Sequence, residues 1–81
     1  MVTSINEPIR VAAVFSGGTI RPVWFDLRGR QVWIREVAFS WRTLEGRAGL
    51  LHFSVTDGQG LYEIRFNTEC LKWELANRSE A

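Results

Sequence analysis

Residues 50–66 read LLHFSVTDGQGLYEIRF, and this stretch decides the fold. Apolar and polar residues alternate on either side of Asp57-Gly58-Gln59-Gly60, as expected for half-buried strands joined by a hairpin turn. A two-residue turn at Gly58-Gln59 brings together three apolar pairs: Val55 with Tyr62, Phe53 with Ile64, and Leu51 with Phe66. All six side chains lie on one face, because side chains alternate along a strand. The stretch therefore predicts an antiparallel hairpin with one apolar side.

The neighbouring segments extend this hairpin into a sheet. A four-residue turn at 67–70 predicts three further pairs: Phe66 with Leu71, Ile64 with Trp73, and Tyr62 with Leu75. A loop centred near Gly46 places a segment on the other side, with Trp41, Phe39 and Val37 beside Leu51, Phe53 and Val55. The second half of the chain thus predicts a four-stranded antiparallel sheet.

The first half contains another hairpin, with its turn at Arg28-Gly29. This turn pairs Phe25 with Val32 on one face and sets Trp24 opposite Trp33 on the other face. Along the strand that follows this turn, the apolar residues occupy even-numbered positions at first and odd-numbered positions later. We therefore predict a β-bulge near Arg35-Glu36, which restores the apolar residues to one face and bends the strand.

These segments predict an all-β fold: a six-stranded antiparallel meander that closes into a barrel-like or β-roll structure. The six strands are 9–15, 20–27, 30–42, 50–56, 61–66 and 71–75. We expect one domain over 9–76, with flexible ends at 1–8 and 77–81. Helical spacing leaves two alternatives open, a helix over 34–45 and a helix over 68–77.

Composition limits the class of protein. The chain has 81 residues, of which 46% are hydrophobic, and ten basic residues against nine acidic residues give a net charge of +1. No apolar run approaches the ~20 residues of a membrane helix, and the charge is too small for a typical nucleic-acid binder. One cysteine, Cys70, and one histidine exclude a disulfide framework and a metal site. The start of the chain does not resemble a signal peptide, so we expect a cytoplasmic protein.

Trp24 and Trp33 form the strongest candidate site. If Phe25 and Val32 face the core, the two indoles face away from it, and Asp26 and Arg35 flank them. Adjacent exposed aromatic residues indicate a contact surface for a protein partner or a second copy of the chain. The alternative is that the first strand covers both indoles.

Arginines offer a second candidate site. Arg21, Arg28 and Arg30 lie on or near the predicted hairpin tip, where they could contact an anion or nucleic acid. Together with stacked tryptophans they suggest the alternative function, binding of single-stranded nucleic acid. The other interpretation is that they are solvated turn residues.

No set of residues predicts catalysis. His52 falls on the polar face near Glu63, but no nucleophile, oxyanion-binding loop or metal partner accompanies it. Cys70 lies at a turn with nothing nearby to lower the pKa of its thiol. The sequence predicts a non-enzymatic interaction module without cofactor, metal, membrane contact or identified small-molecule substrate, with a protein partner or homodimer favoured over nucleic acid.

The chain resembles a family of short bacterial domains of unknown function. The resemblance rests on Glu7-Pro8-Ile9, on Arg21-Pro22 followed by Phe25 and Arg28-Gly29-Arg30, and on Tyr62-Glu63-Ile64 with Trp73-Glu74-Leu75. It implies a bacterial protein and supplies no catalytic residues. Positions 24 and 33 are usually polar in that family, so the tryptophan pair is particular to this chain.

Overall fold

A computed structural model describes residues 2–80, with the side chains of residues 6–79. These residues form eight strands: Val2–Ile9 (β1), Val11–Ser16 (β2), Thr19–Leu27 (β3), Arg30–Trp33 (β4), Glu36–Glu45 (β5), Ala48–Thr56 (β6), Gly60–Asn67 (β7) and Lys72–Glu80 (β8). Residues 2–80 contain no helix, so the helical alternatives over 34–45 and 68–77 are wrong.

The strands form two antiparallel sheets. The larger sheet has five strands in the order β1-β8-β7-β6-β5, and the smaller has three in the order β2-β3-β4. The chain crosses from the larger to the smaller sheet at Arg10 and returns at Ile34-Arg35. The predicted all-β antiparallel class is confirmed.

The predicted six-strand count and the closed barrel are wrong. The expected long strand 30–42 divides at the crossover into β4 and β5, and residues 2–9 add a further strand. Closure would require continuous hydrogen bonding between the sheets, whereas each sheet pairs its strands only within itself. The fold is an open two-sheet sandwich.

Strand β1 occupies residues 2–8 of the expected flexible end 1–8, and β8 continues to Glu80, inside the expected flexible end 77–81. β1 pairs with β8 from Val2 opposite Ser79 to Ile9 opposite Trp73. Met1 and Ala81 lie outside the described residues.

The core lies between the two sheets. The larger sheet contributes Phe53, Val55, Tyr62, Ile64 and Leu75, and the smaller contributes Phe25, Leu27 and Val32. Phe25 packs edge-on against Tyr62 across the core, with ring centroids 5.3 Å apart. Burial of these side chains is the main source of stability, at roughly 1.5–3 kcal/mol for each large one.

The β6–β7 hairpin has the predicted register. Val55 lies opposite Tyr62, Phe53 opposite Ile64, and Leu51 opposite Phe66. The Asp57 carboxylate fixes the turn by accepting hydrogen bonds from the amides of Gln59 and Gly60, each 2.9 Å long. Burial raises the pKa of Asp57, but these amides and the Tyr62 hydroxyl outweigh it, so the pKa is lowered overall.

The β7–β8 register differs from the prediction by two residues at Phe66 and Ile64, and by three at Tyr62, which lies opposite Arg78 beyond an irregularity between Glu63 and Ile64. Phe66 lies opposite Trp73 and Ile64 opposite Leu75, because the turn includes Leu71, with φ of 61°. A two-residue shift keeps Trp73 on the core face, where it packs against Phe53 and Phe66, whereas Leu71, predicted to lie opposite Phe66 on that face, is 70% exposed in the turn.

The β5–β6 register overturns the predicted positions of Phe39 and Trp41. A bulge lies between Val37 and Phe39, and beyond it Phe39 pairs with Ser54 and Trp41 with His52. A one-residue shift exchanges the faces of a strand. Both aromatic residues therefore lie on the outer face of the larger sheet and not beside the core.

Candidate interaction surfaces

The tryptophan pair lies where the hairpin register predicts. Trp24 is directly opposite Trp33, with ring centroids 6.4 Å apart and planes inclined at 53°. Trp33 is 59% exposed and Trp24 is half-buried. Ala12 of β2 lies beside Trp24 in the same sheet and leaves Trp33 uncovered. We call Ala12, Trp24, Asp26 and Trp33 the tryptophan face.

Asp26 and Arg35, the predicted neighbours of the indoles, have different surroundings. Asp26 accepts hydrogen bonds from the Arg10 guanidinium at 2.6 and 2.9 Å. The Arg35 side chain lies against Gly58 in the β6–β7 turn. Its Nη1 atom is 2.9 Å from the position that a Cβ atom would occupy on this glycine. The structure thus brings Trp24, Trp33 and Asp26 together and places the Arg35 guanidinium elsewhere.

The arginines predicted to bind an anion do not converge. Arg28 donates to the Glu7 carboxylate at 3.3 and 3.4 Å. Arg30 lines a polar hollow of about 250 Å³ that also contains Asp57 and Arg78. Arg21 lies opposite Val14, seven residues before Arg28, which corresponds to roughly 20 Å along the chain.

His52 and Trp41 form a contact that the sequence did not predict. The indole lies flat on the imidazole, with centroids 5.0 Å apart and planes 4° apart. His52 is only 7% exposed. The sequence correctly predicted that His52 lies on the polar face near Glu63. The contact follows from the bulge in β5, since the register beyond it sets Trp41 opposite His52, and no sequence signal marks the position of that bulge.

Burial controls the ionisation of His52. Its Nε2 atom is 2.7 Å from the Thr43 hydroxyl, and its Nδ1 atom has no hydrogen-bond partner in the described part of the chain. Desolvation lowers the pKa of His52 below its ordinary value, Glu63 opposes this shift, and Arg65 reinforces it. The Glu63 carboxylate approaches Nδ1 only to 3.8 Å. The neutral imidazole is therefore favoured in the fold.

A polar network surrounds this histidine on the outer face. Asn77 donates to Glu63 at 3.1 Å, and Arg65 pairs with Glu74 and donates to Asn6 at 3.0 Å. The network connects β1, β8, β7 and β6 through side chains that stabilise one another.

Strand β5 is a free edge of the larger sheet. All ten of its residues are exposed, among them Val37, Phe39, Trp41 and Leu44. Phe39 is 71% exposed and packs edge-on against Trp41 with centroids 6.2 Å apart. An edge strand presents unpaired backbone N–H and C=O groups, and a long apolar edge is a template for pairing with another chain.

A cleft of about 730 Å³ opens between the β2–β3 hairpin and strands β5 and β6. Apolar side chains on both sides line it: Phe15, Ile20, Leu51 and Phe53. Ser40 and Arg42 of β5 also line it. The cleft exists because the three-stranded sheet is too narrow to cover the inner side of β5.

Cys70 is an exposed free thiol in the β7–β8 turn. Among the residues that the structure describes, no group of histidine, cysteine and acidic side chains could hold a metal ion. Residues 2–80 also contain no helix suited by length and hydropathy to cross a bilayer.

Comparisons of the chain with protein-family models, curated proteins and solved structures find no match. The resemblance to a bacterial domain family therefore stays a prediction.

Proposed function

We propose that this protein is a non-enzymatic interaction module that pairs with a second copy of itself through the free edge of β5. The observation that carries the proposal is a ten-residue edge strand whose residues are all exposed. Backbone hydrogen bonds to a second strand would satisfy the unpaired groups, and the exposed apolar side chains would be covered at the same time.

The other sheet edges are less suited to pairing. Strand β1 contains Pro8 and a register shift between Ser4 and Glu7, and both features interrupt an edge. In the smaller sheet, β2 has six residues and β4 has four. Strand β5 contains no proline, and its register is regular from Phe39 to Glu45.

Self-pairing also explains the aromatic residues on β5. A two-fold axis through the shared edge makes the two β5 strands antiparallel. Pairing centred on Ser40 or Trp41 brings Phe39 and Trp41 of both copies onto one face, because both side chains lie on the outer side. Aromatic pairs across neighbouring strands contribute roughly 0.2–1 kcal/mol each.

Sedimentation velocity tests the proposal. The wild-type chain is expected to show a concentration-dependent monomer–dimer equilibrium, and Phe39→Lys is expected to weaken it by about tenfold or more, because lysine on an edge opposes pairing. Leu71→Lys is the matched control, since Leu71 is equally exposed, at 70%, but lies in the β7–β8 turn. A wild-type chain that remains monomeric up to about 1 mM, or equal loss in both variants, would overturn the proposal.

A further inference from the structure

The cleft between the β2–β3 hairpin and β5–β6 is shaped for an apolar guest. Leu51 and Phe53 of β6 form its floor, and Phe15 and Ile20 form the wall contributed by the hairpin. Its volume of about 730 Å³ falls within the range of small-molecule sites, about 300–1,000 Å³. A guest in this cleft would contact both sheets at once.

Phe15 shows that the cleft leaves a large side chain uncovered. Its ring rests edge-on against Phe66, with centroids 5.8 Å apart, yet Phe15 is 60% exposed. An apolar guest would remove part of this ring from water, which favours binding by about 25 cal/mol for each Å² buried. The contact with Phe66 holds the ring in place before any guest binds.

Arg42 supplies a positive charge at the same site. It lies opposite Leu51 in the β5–β6 ladder, so its stem leaves the sheet on the side of the cleft floor. Arg10, Arg28 and Arg65 each pair with a carboxylate, whereas Arg42 has no ion-pair partner within the described residues. A guanidinium forms paired hydrogen bonds with a carboxylate.

We propose that the cleft binds an amphipathic monocarboxylate, with its apolar body against Leu51, Phe53 and Phe15 and its carboxylate against Arg42. The charge of Arg42 selects an anion, and the apolar floor selects a chain or ring over a small ion such as acetate. The Ser40 hydroxyl, which also lines the cleft, is a further donor for the carboxylate. This site does not depend on pairing of β5.

Titration calorimetry with decanoate, 1-decanol and acetate tests the inference. Decanoate is expected to bind with one site per chain, 1-decanol about five- to tenfold more weakly, and acetate without measurable affinity. Arg42→Gln is expected to reduce the affinity for decanoate to that for 1-decanol and to leave the affinity for 1-decanol unchanged. Arg47→Gln is the matched control, because Arg47 is exposed in the β5–β6 turn and does not line the cleft.

Two further variants complete the design. Phe15→Ser is expected to weaken both ten-carbon ligands by about fivefold, since the exposed ring is part of the apolar wall. Repeating the titrations in Phe39→Lys separates this site from self-association, because decanoate binding is expected to persist there. The inference would be overturned if neither the wild-type chain nor Phe39→Lys bound decanoate saturably. It would also be overturned if Arg42→Gln bound decanoate as tightly as the wild-type chain.

Discussion

The Trp41 indole lies parallel to the His52 imidazole, with 5.0 Å between the ring centroids and 4° between the planes. This contact places a titratable ring under an aromatic cover on the outer face of the larger sheet. Trp41 belongs to the edge strand β5 and His52 to its neighbour β6, so the ionisation of a buried group is tied to the strand proposed to pair with a second copy.

Removal of the cover should change the pKa of His52. In Trp41→Ala, His52 becomes hydrated, and its pKa is expected to rise toward the ordinary value of about 6.5, because desolvation is the largest cause of the lowered pKa. Stability should fall by about 1–2 kcal/mol from lost burial. His52 is the only histidine, so its NMR signals report the titration directly.

Phe39→Ala provides the comparison for this measurement. Phe39 contacts Trp41 but is largely exposed, so its loss should leave the pKa of His52 unchanged. A pKa of His52 that stays at its wild-type value in Trp41→Ala would show that the indole does not control desolvation.

Stability should decline as the solution becomes more acidic. Because the folded-state pKa of His52 is lowered, the unfolded chain binds more protons below about pH 6.5. The contribution of neutral His52 is therefore complete above that pH and is lost as the pH falls toward the lowered value. Glu63 and Arg65, which face His52, oppose and reinforce this shift respectively.

Urea unfolding at pH 8 and pH 5 measures this effect. His52→Gln keeps a polar side chain without a titratable ring, and we expect a smaller loss of stability between the two pH values in this variant. Asp57 also has a lowered pKa, but its contribution is lost only at more acidic pH, below about 4. An identical decline in wild type and His52→Gln would assign the acid sensitivity to other groups.

Trp33→Ser tests whether the tryptophan face takes part in binding. Trp33 is mostly exposed, so its replacement should change the free energy of unfolding by no more than about 0.5 kcal/mol. If β5 is the pairing surface, the dimerisation constant should also remain at its wild-type value. A monomeric Trp33→Ser would instead place self-association on the tryptophan face. Quenching of the tryptophan fluorescence of the wild-type chain by single-stranded oligonucleotides at low salt would support the nucleic-acid alternative.

The sequence predicted those parts of the fold in which two independent signals agree. For β6 and β7, the alternating pattern and the turn residues Asp57 and Gly58 both specify one register, and the structure has it. The same holds for Trp24 opposite Trp33, which the turn at Arg28-Gly29 fixes. The β7–β8 register missed by two residues because Leu71 adopts a turn conformation that its residue type does not suggest.

The sequence could not locate the bulge in β5. One inserted residue anywhere between Ile34 and Phe39 places Phe39 and Trp41 on the inner face, whereas two irregularities in this segment return them to the outer face, and the sequence indicates only one. The predicted bulge near Arg35-Glu36 made these residues part of the core. The crossover at Ile34-Arg35 and the bulge after Val37 together move them outward, and they create the cover over His52 and the exposed edge.

The pairing of β1 with β8 has a practical consequence for joining this domain to other sequences. The two strands run side by side at one margin of the larger sheet, with Val2 opposite Ser79. A linker, tag or neighbouring domain attached before β1 therefore enters four inter-strand spacings, roughly 19 Å, from β5, and one attached after β8 enters three spacings, roughly 14 Å, from it. Fusion at either end leaves the opposite margin accessible, and a tethered pair of domains could be built without obstructing it.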